Sequence, residues 1–184
     1  MTSTLLKKYD FDTVFDSQKV FRRILEAMSN PGRIVQADGI LSVAMTLLDN
    51  EVSFHVCGSP DLSEEIVSLT LAGREAVETA DYIFVCDRDG IISAVKNAKC
   101  GTLTDPHKSA TVIIIDNGES DCRVTLRGPG IKGQTEFMVS KVVIDTVATR
   151  DAQHYEYPQG IDFLFISGAG DLLAIPRLTR MEVR

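Results

Sequence analysis

Three glycines, Gly128, Gly130 and Gly133, stand in the spacing G-x-G-x-x-G within VTLRGPGIKGQ. In a dinucleotide-binding unit this spacing turns the backbone tightly out of a strand and opens a helix whose N-terminus faces a pyrophosphate. The surrounding sequence opposes that chemistry. Gly133 is followed by QTEFMVS, which lacks the apolar stripe of an opening helix. The acid expected about 20 residues further on, to bind a ribose, would be Asp151. That residue lies in the polar stretch ATRDAQHYEYPQG and not at a strand end. By contrast, Gly128-Pro129-Gly130-Ile131 places Pro second and Gly third, the preference of a type II turn. The spacing is read as a turn, with Gly130 at positive φ.

Other reactive residue types are scattered. The cysteines are Cys57, Cys86, Cys100 and Cys122, with no C-x-x-C pair, and His107 follows Cys100 by seven positions. Zinc sites need closer pairing, so the four are read as free thiols, buried or half-buried, and no metal is expected. His55 sits mid-strand as a structural histidine, while His107 and His154 fall in loops, where function concentrates. Neither has a Ser or Cys partner in sequence for a nucleophilic triad. DRDG, residues 87–90, matches half of a calcium loop but lacks the later ligands and the closing Glu. No phosphate-binding loop of the G-x-x-x-x-G-K-[ST] type occurs, and no lysine stands in a setting that marks a Schiff base. Arg177, directly after Pro176, is a candidate cation for an anion or acidic partner; a solvated surface arginine is the plainer reading.

The elements that would position these residues follow from periodicity. DSQKVFRRILEAMSNPG carries Val20, Phe21, Ile24, Leu25 and Met28 at helical spacing, with Asp16 or Ser17 as cap and Asn30-Pro31-Gly32 as stop. Arg22 and Glu26 lie four apart on its solvated side. RIVQ reads as a strand and Ser42–Leu48 as a short helix. VSFHVC is a strand, and Ser59-Pro60-Asp61 opens a helix bearing Leu62, Ile66 and Leu69. DYIFVC and ATVIIID are apolar runs suited to strands buried on both faces. DRDG is taken as a tight turn, followed by a helix near Ile92–Ala98. CRVTLRGPGI is an alternating strand. KVVIDTVATRD reads as a helix capped by Ser140, and IDFLFIS with DLLAIP as a hairpin through GAGD. The alternation predicts an α/β domain, with helices on both faces of a mixed sheet.

Composition bounds the function. The chain has 184 residues, 44% hydrophobic and 24% charged, with net charge -7. A single domain over residues 1–184 is expected, with residues 1–10 as a flexible segment. The acidic balance argues against nucleic-acid binding. No apolar run approaches the roughly 20 residues of a membrane span, and MTSTLLKKYDFD lacks a signal-peptide core, so a cytosolic location is expected.

Four stretches, in order, carry a family likeness: FRRILEAMSNPG (Phe21–Gly32), LRGPGI (Leu126–Ile131), YPQGID (Tyr157–Asp162) and LLAIPRLTRMEV (Leu172–Val183). Together they resemble the PhnH family, the H subunit of the bacterial carbon–phosphorus lyase system of phosphonate metabolism. The likeness spans roughly Phe11 to Val183 and is sharpest at both ends. Tyr157 stands where the family usually has Phe, and Leu178 where Thr is common. The resemblance implies a three-layer α/β sandwich similar to the large domain of pyridoxal-phosphate-dependent transferases, without the cofactor lysine and phosphate site. It implies a homodimer, and membership of a core complex with G, I and J subunits. That complex attaches a phosphonate to C1 of the ATP ribose, displacing adenine, and then cleaves the carbon–phosphorus bond. The H subunit is implied to be architectural, with no cofactor. The alternative is a transferase acting on a nucleotide or phosphonate in an inherited cleft, with Arg22, Asp49, Asp162 and Arg177 as candidate residues.

Overall fold

The computed structural model describes residues 11–184; the N-terminal segment 1–10 lies outside them. Helix α1 spans Phe15–Ser29. Its cap is neither Asp16 nor Ser17 alone. The Asp12 carboxylate accepts from the Val14 and Phe15 amides at 2.8 Å each, and Asp16 accepts from the Asp12 amide in return. This is the reciprocal logic of a capping box, set one turn earlier than expected. The helix ends at Asn30, whose side chain donates to the Glu26 carbonyl at 2.9 Å.

Strand β1 (Ile34–Gln36) is followed by α2 (Ile40–Leu47), β2 (Ser53–Cys57) and α3 (Pro60–Thr70), and then by β3 (Gly73–Arg74) and β4 (Tyr82–Val85). Helix α4 spans Arg88–Asn97. DRDG is therefore no turn but a helix start. Asp87 caps it by accepting from the Gly90 amide at 2.6 Å, which carries the helix back over residues 88–91. A short 3-10 turn at Pro106–Lys108 precedes β5 (Thr111–Ile115), β6 (Cys122–Arg127) and β7 (Thr135–Val139). Helix α5 (Lys141–Asp151) is capped by Ser140, as expected, and β8 (Asp162–Ile166), β9 (Asp171–Ile175) and β10 (Arg180–Val183) complete the chain.

The main sheet has seven strands in the order β1-β9-β8-β5-β4-β2-β3. Strands β8, β5, β4, β2 and β3 are parallel, while β9 runs antiparallel to both β8 and β1. The β8–β9 hairpin is thus present and supplies the antiparallel side. A second sheet, β10-β6-β7, is wholly antiparallel. The sequence does not mark it as a separate layer, because the alternation of β7 and β10 is carried by only a few residues.

Strand periodicity sorts the core into two halves. Phe54, Phe84, Ile113, Leu164 and Leu172 point to one face and meet Val20, Ile24 and Ala27 of α1, Val43 and Ala44 of α2, and Ile66 of α3. Ile83, Val85, Val112, Ile114, Phe163, Phe165 and Ile175 point to the other. There they meet Ile91, Ala94 and Val95 of α4, Val142, Val143 and Val147 of α5, and Val124, Leu126 and Val139 of the small sheet. The central strands are buried on both faces, which is why they read as unbroken apolar runs. On α1 the expected stripe is only partly correct. Val20 and Ile24 are buried, Phe21 and Leu25 are exposed, and Ala27 takes the remaining core position.

Candidate functional site

The three glycines join two antiparallel strands, β6 and β7, and no helix follows. The Ile131 amide donates to the Gly128 carbonyl at 3.1 Å, and Gly130 has φ +82. These are the marks of the type II turn. A Cβ on Gly130 would lie 2.2 Å from the Ser29 carbonyl oxygen, and one on Gly128 would lie 2.9 Å from that of Leu178. The glycines thus serve close backbone approach to the end of α1 and to the loop before β10.

In open α/β sheets, ligands bind outside the carboxyl ends of the parallel strands, where the connections diverge to opposite faces. Here β2 is followed by α3 on one face and β4 by α4 on the other, so the switch point lies between β2 and β4. Protein occupies it. Asp87 covers the α4 N-terminus, and a Cβ on Gly58 would sit 2.1 Å from its carboxylate. The position that favours a bound anion already holds one. Cys57 and Cys86 flank it. Burial, with Asp87 adding, raises the Cys57 thiol, and burial, Asp87 and Cys57 push Cys86 up to about 11. Both are therefore protonated at neutral pH and poor nucleophiles.

The next crevice, at the carboxyl ends of β5 and β8, is a cleft of about 200 Å³ whose polar lining is Asp116, Ser120, Ser140, Ser167 and Asp171. Ser140 donates to Asp116 at 2.6 Å and accepts from the Val143 amide, so its hydroxyl is engaged in capping α5. Among the described residues, no Lys, Arg or His lines this cleft. Its described lining supplies neither a Schiff-base amine nor a cation for a phosphate or phosphonate.

Asp162 and Arg177 lie at the other end of the sheet, at the amino end of β8 and just beyond β9. They form an ion pair through the guanidinium Nε and Nη2, with the Arg177 amide donating to Asp162 Oδ1 at 2.7 Å. Arg177 also donates to the Pro106 carbonyl. Their side chains are only 11% and 19% exposed, so Arg177 is not a free surface cation. Beside them Arg150, 1% exposed, reaches from the end of α5. It donates to the carbonyls of Pro176 and Thr179 at 3.1 and 2.8 Å and lies over the Phe163 ring at 5.4 Å. Burial lowers the Arg150 pKa, opposed by Asp151. Nothing in the sequence singled out Arg150, since an arginine among polar residues gives no sign that the fold will cover it.

The structure brings together Asp162 and Arg177 and leaves the other two apart. Asp49 is exposed ahead of β2, with β5 and β4 between it and β8. Arg22 is exposed on α1 and makes no ion pair among the described residues. The expected Arg22–Glu26 support is not formed, because Glu26 pairs with Arg23 at 3.2 Å and Arg33 at 2.9 Å. His55 bonds the Glu75 carbonyl at 2.8 Å, as a structural histidine does. His107 and His154 are exposed. Among the described residues no three His, Cys, Asp or Glu side chains gather as a metal site, and no helix is long and apolar enough to cross a membrane.

Fold and geometry together define an α/β sandwich on a mixed sheet, with its switch-point crevice filled by its own carboxylate and an acidic cleft beside it. The chain belongs to the bacterial phosphonate metabolism protein (PhnH) family, whose model matches residues 10–182. It is 29% identical to a putative C-P lyase subunit protein, HtxG, of Stutzerimonas stutzeri, over 91% of this chain and 86% of that protein. It is 27% identical to the alpha-D-ribose 1-methylphosphonate 5-triphosphate synthase subunit PhnH of Rhizobium meliloti (strain 1021), over 93% of this chain and 92% of the relative.

Proposed function

We propose that the chain is a non-catalytic subunit of a cytoplasmic carbon–phosphorus lyase core complex. It is a homodimer by itself, assembles with G, I and J subunits, and supports phosphonate use. In this reading the partners form ribose 1-phosphonate 5-triphosphate from ATP and an alkylphosphonate and then cleave the carbon–phosphorus bond. The family match across residues 10–182 carries the proposal. The non-catalytic part is supported by the carboxylate at the switch point and by the acidic cleft, which repel anionic substrates. The sandwich is read as kin to the large domain of pyridoxal-phosphate-dependent transferases, with no lysine among the described residues lining the cleft to hold that cofactor.

The test is growth on an alkylphosphonate as sole phosphorus source. Deleting the gene should abolish that growth and leave growth on phosphate intact. Complementation with Asp49→Ala, Ser167→Ala or Asp171→Ala should restore it to within about twofold of wild type, as for positions outside the packed core. A variant that assembles normally yet fails to use phosphonate overturns the non-catalytic reading and favours the transferase.

A further inference from the structure

Helix α1 has a wider apolar arc than its core contact requires. At 3.6 residues per turn, Val20, Ile24 and Ala27 form the buried arc, half-buried Met28 continues it, and Phe21 and Leu25 extend it into solvent, 46% and 48% exposed. Val14 and Phe15, at the start of the helix, are 68% and 74% exposed. The main contacts of α1 are with α2, β1 and β9, and β1 is the margin of the sheet. Lys19 and Asp16 mark the flank toward α2, through the Lys19–Asp38 pair and the hollow that Asp16 shares with Ile40 and Met45. Phe21 and Leu25 lie about 120° or more around the helix from both. They are therefore on the outer flank, where the helical layer ends.

Resting on the assembly reading above, we infer that this flank of α1 docks a helix of a partner subunit, one with apolar side chains against Phe21 and Leu25 and a carboxylate toward Arg22. Charge decides against a second copy as occupant. An antiparallel pairing of α1 with itself about the Phe21–Leu25 midpoint brings Arg22 against Arg22, a like-charge contact that no ion pair of Arg22 among the described residues offsets. An acidic partner helix turns the same guanidinium into an interfacial cation. Aromatic residues and arginine are also the types that dominate the energetics of such contacts.

The full-length tagged chain, co-expressed with its G, I and J subunits, tests this. Phe21→Ser/Leu25→Ser should keep the wild-type melting temperature and sedimentation, yet recover about tenfold less partner, as expected for removal of a buried anchor. Arg22→Glu, which touches no core contact, should lose about fivefold and Arg22→Lys little, as for a rim charge. Undiminished recovery by both the double variant and Arg22→Glu overturns the inference while leaving the assembly reading intact. Conversion of a dimer to a monomer by the double variant also overturns it, by giving the flank to a second copy. Failure of the wild-type chain to recover any partner sinks the assembly reading itself.

Discussion

Gly130 shows how much one missing carbon can decide. Its φ of +82 is in the region that side chains rarely adopt, and its Cα faces the Ser29 carbonyl so closely that a Cβ would stand 2.2 Å away. Gly130→Ala therefore combines backbone strain with a clash against main chain, which cannot rotate aside. The expected loss is more than about 1 kcal/mol, read as a lower melting temperature. An unchanged melting temperature together with lost nucleotide binding would return the three glycines to a phosphate-binding role. The turn was legible because Pro129 and Gly130 state their dihedral demands locally. Asp87 was not, since a carboxylate before Arg88 reads equally as a turn residue or a helix cap until the helix is in place.

At the scale of elements, the four stretches that carry the family likeness meet along one seam. The end of α1 touches the β6–β7 turn at Gly130, and that turn touches Leu178 and Thr179 at Gly128. Gly160 faces the Arg177 side chain, and Arg177 bonds Asp162. The end of α1 and the β6–β7 turn, about a hundred residues apart in sequence, thus fit backbone to backbone at Ser29 and Gly130, and the turn fits the Leu178 backbone at Gly128, where a side chain on either glycine would collide. The long runs of β4, β5 and β8 were legible because burial on both faces leaves an unbroken apolar signature. The α1 boundary with solvent was not, because periodicity reports which positions are apolar and not how many a neighbour covers. The seam also makes a prediction about Asp162. Asp162→Ala strands Arg177 in a largely covered site, and breaking such a pair costs about 3 kcal/mol or more. Removing both charges, as Asp162→Leu/Arg177→Met, should cost less than the single change, because no unpaired ion remains. Denaturant midpoints measure both. A fully stable Asp162→Ala that abolishes phosphonate growth would show that the pair acts in function and not in packing.

The whole molecule carries net charge -7, and its field is unfavourable to anions where an α/β sheet most readily offers a site. Asp87 sits at the switch point, and Asp116 and Asp171 line the adjacent cleft without a cation among its lining residues. Arginines are plentiful elsewhere, yet Arg150 is spent on the carbonyls of Pro176 and Thr179 and Arg177 on Asp162. ATP or an alkylphosphonate would therefore gain no charge partner among the described residues lining the acidic cleft and would meet repulsion from the carboxylates at both crevices. The isolated chain should bind neither. A ligand at ten times its Kd stabilises the folded state by about 1.4 kcal/mol, which moves the melting temperature of a chain of this size by about 3 °C. Millimolar ATP or methylphosphonate should shift it by less than about 1 °C on the same scale. A rise of about 3 °C or more with either ligand, abolished by Ser167→Ala, would mean that the acidic cleft takes substrate, and the subunit would have to be counted among the catalysts of its complex.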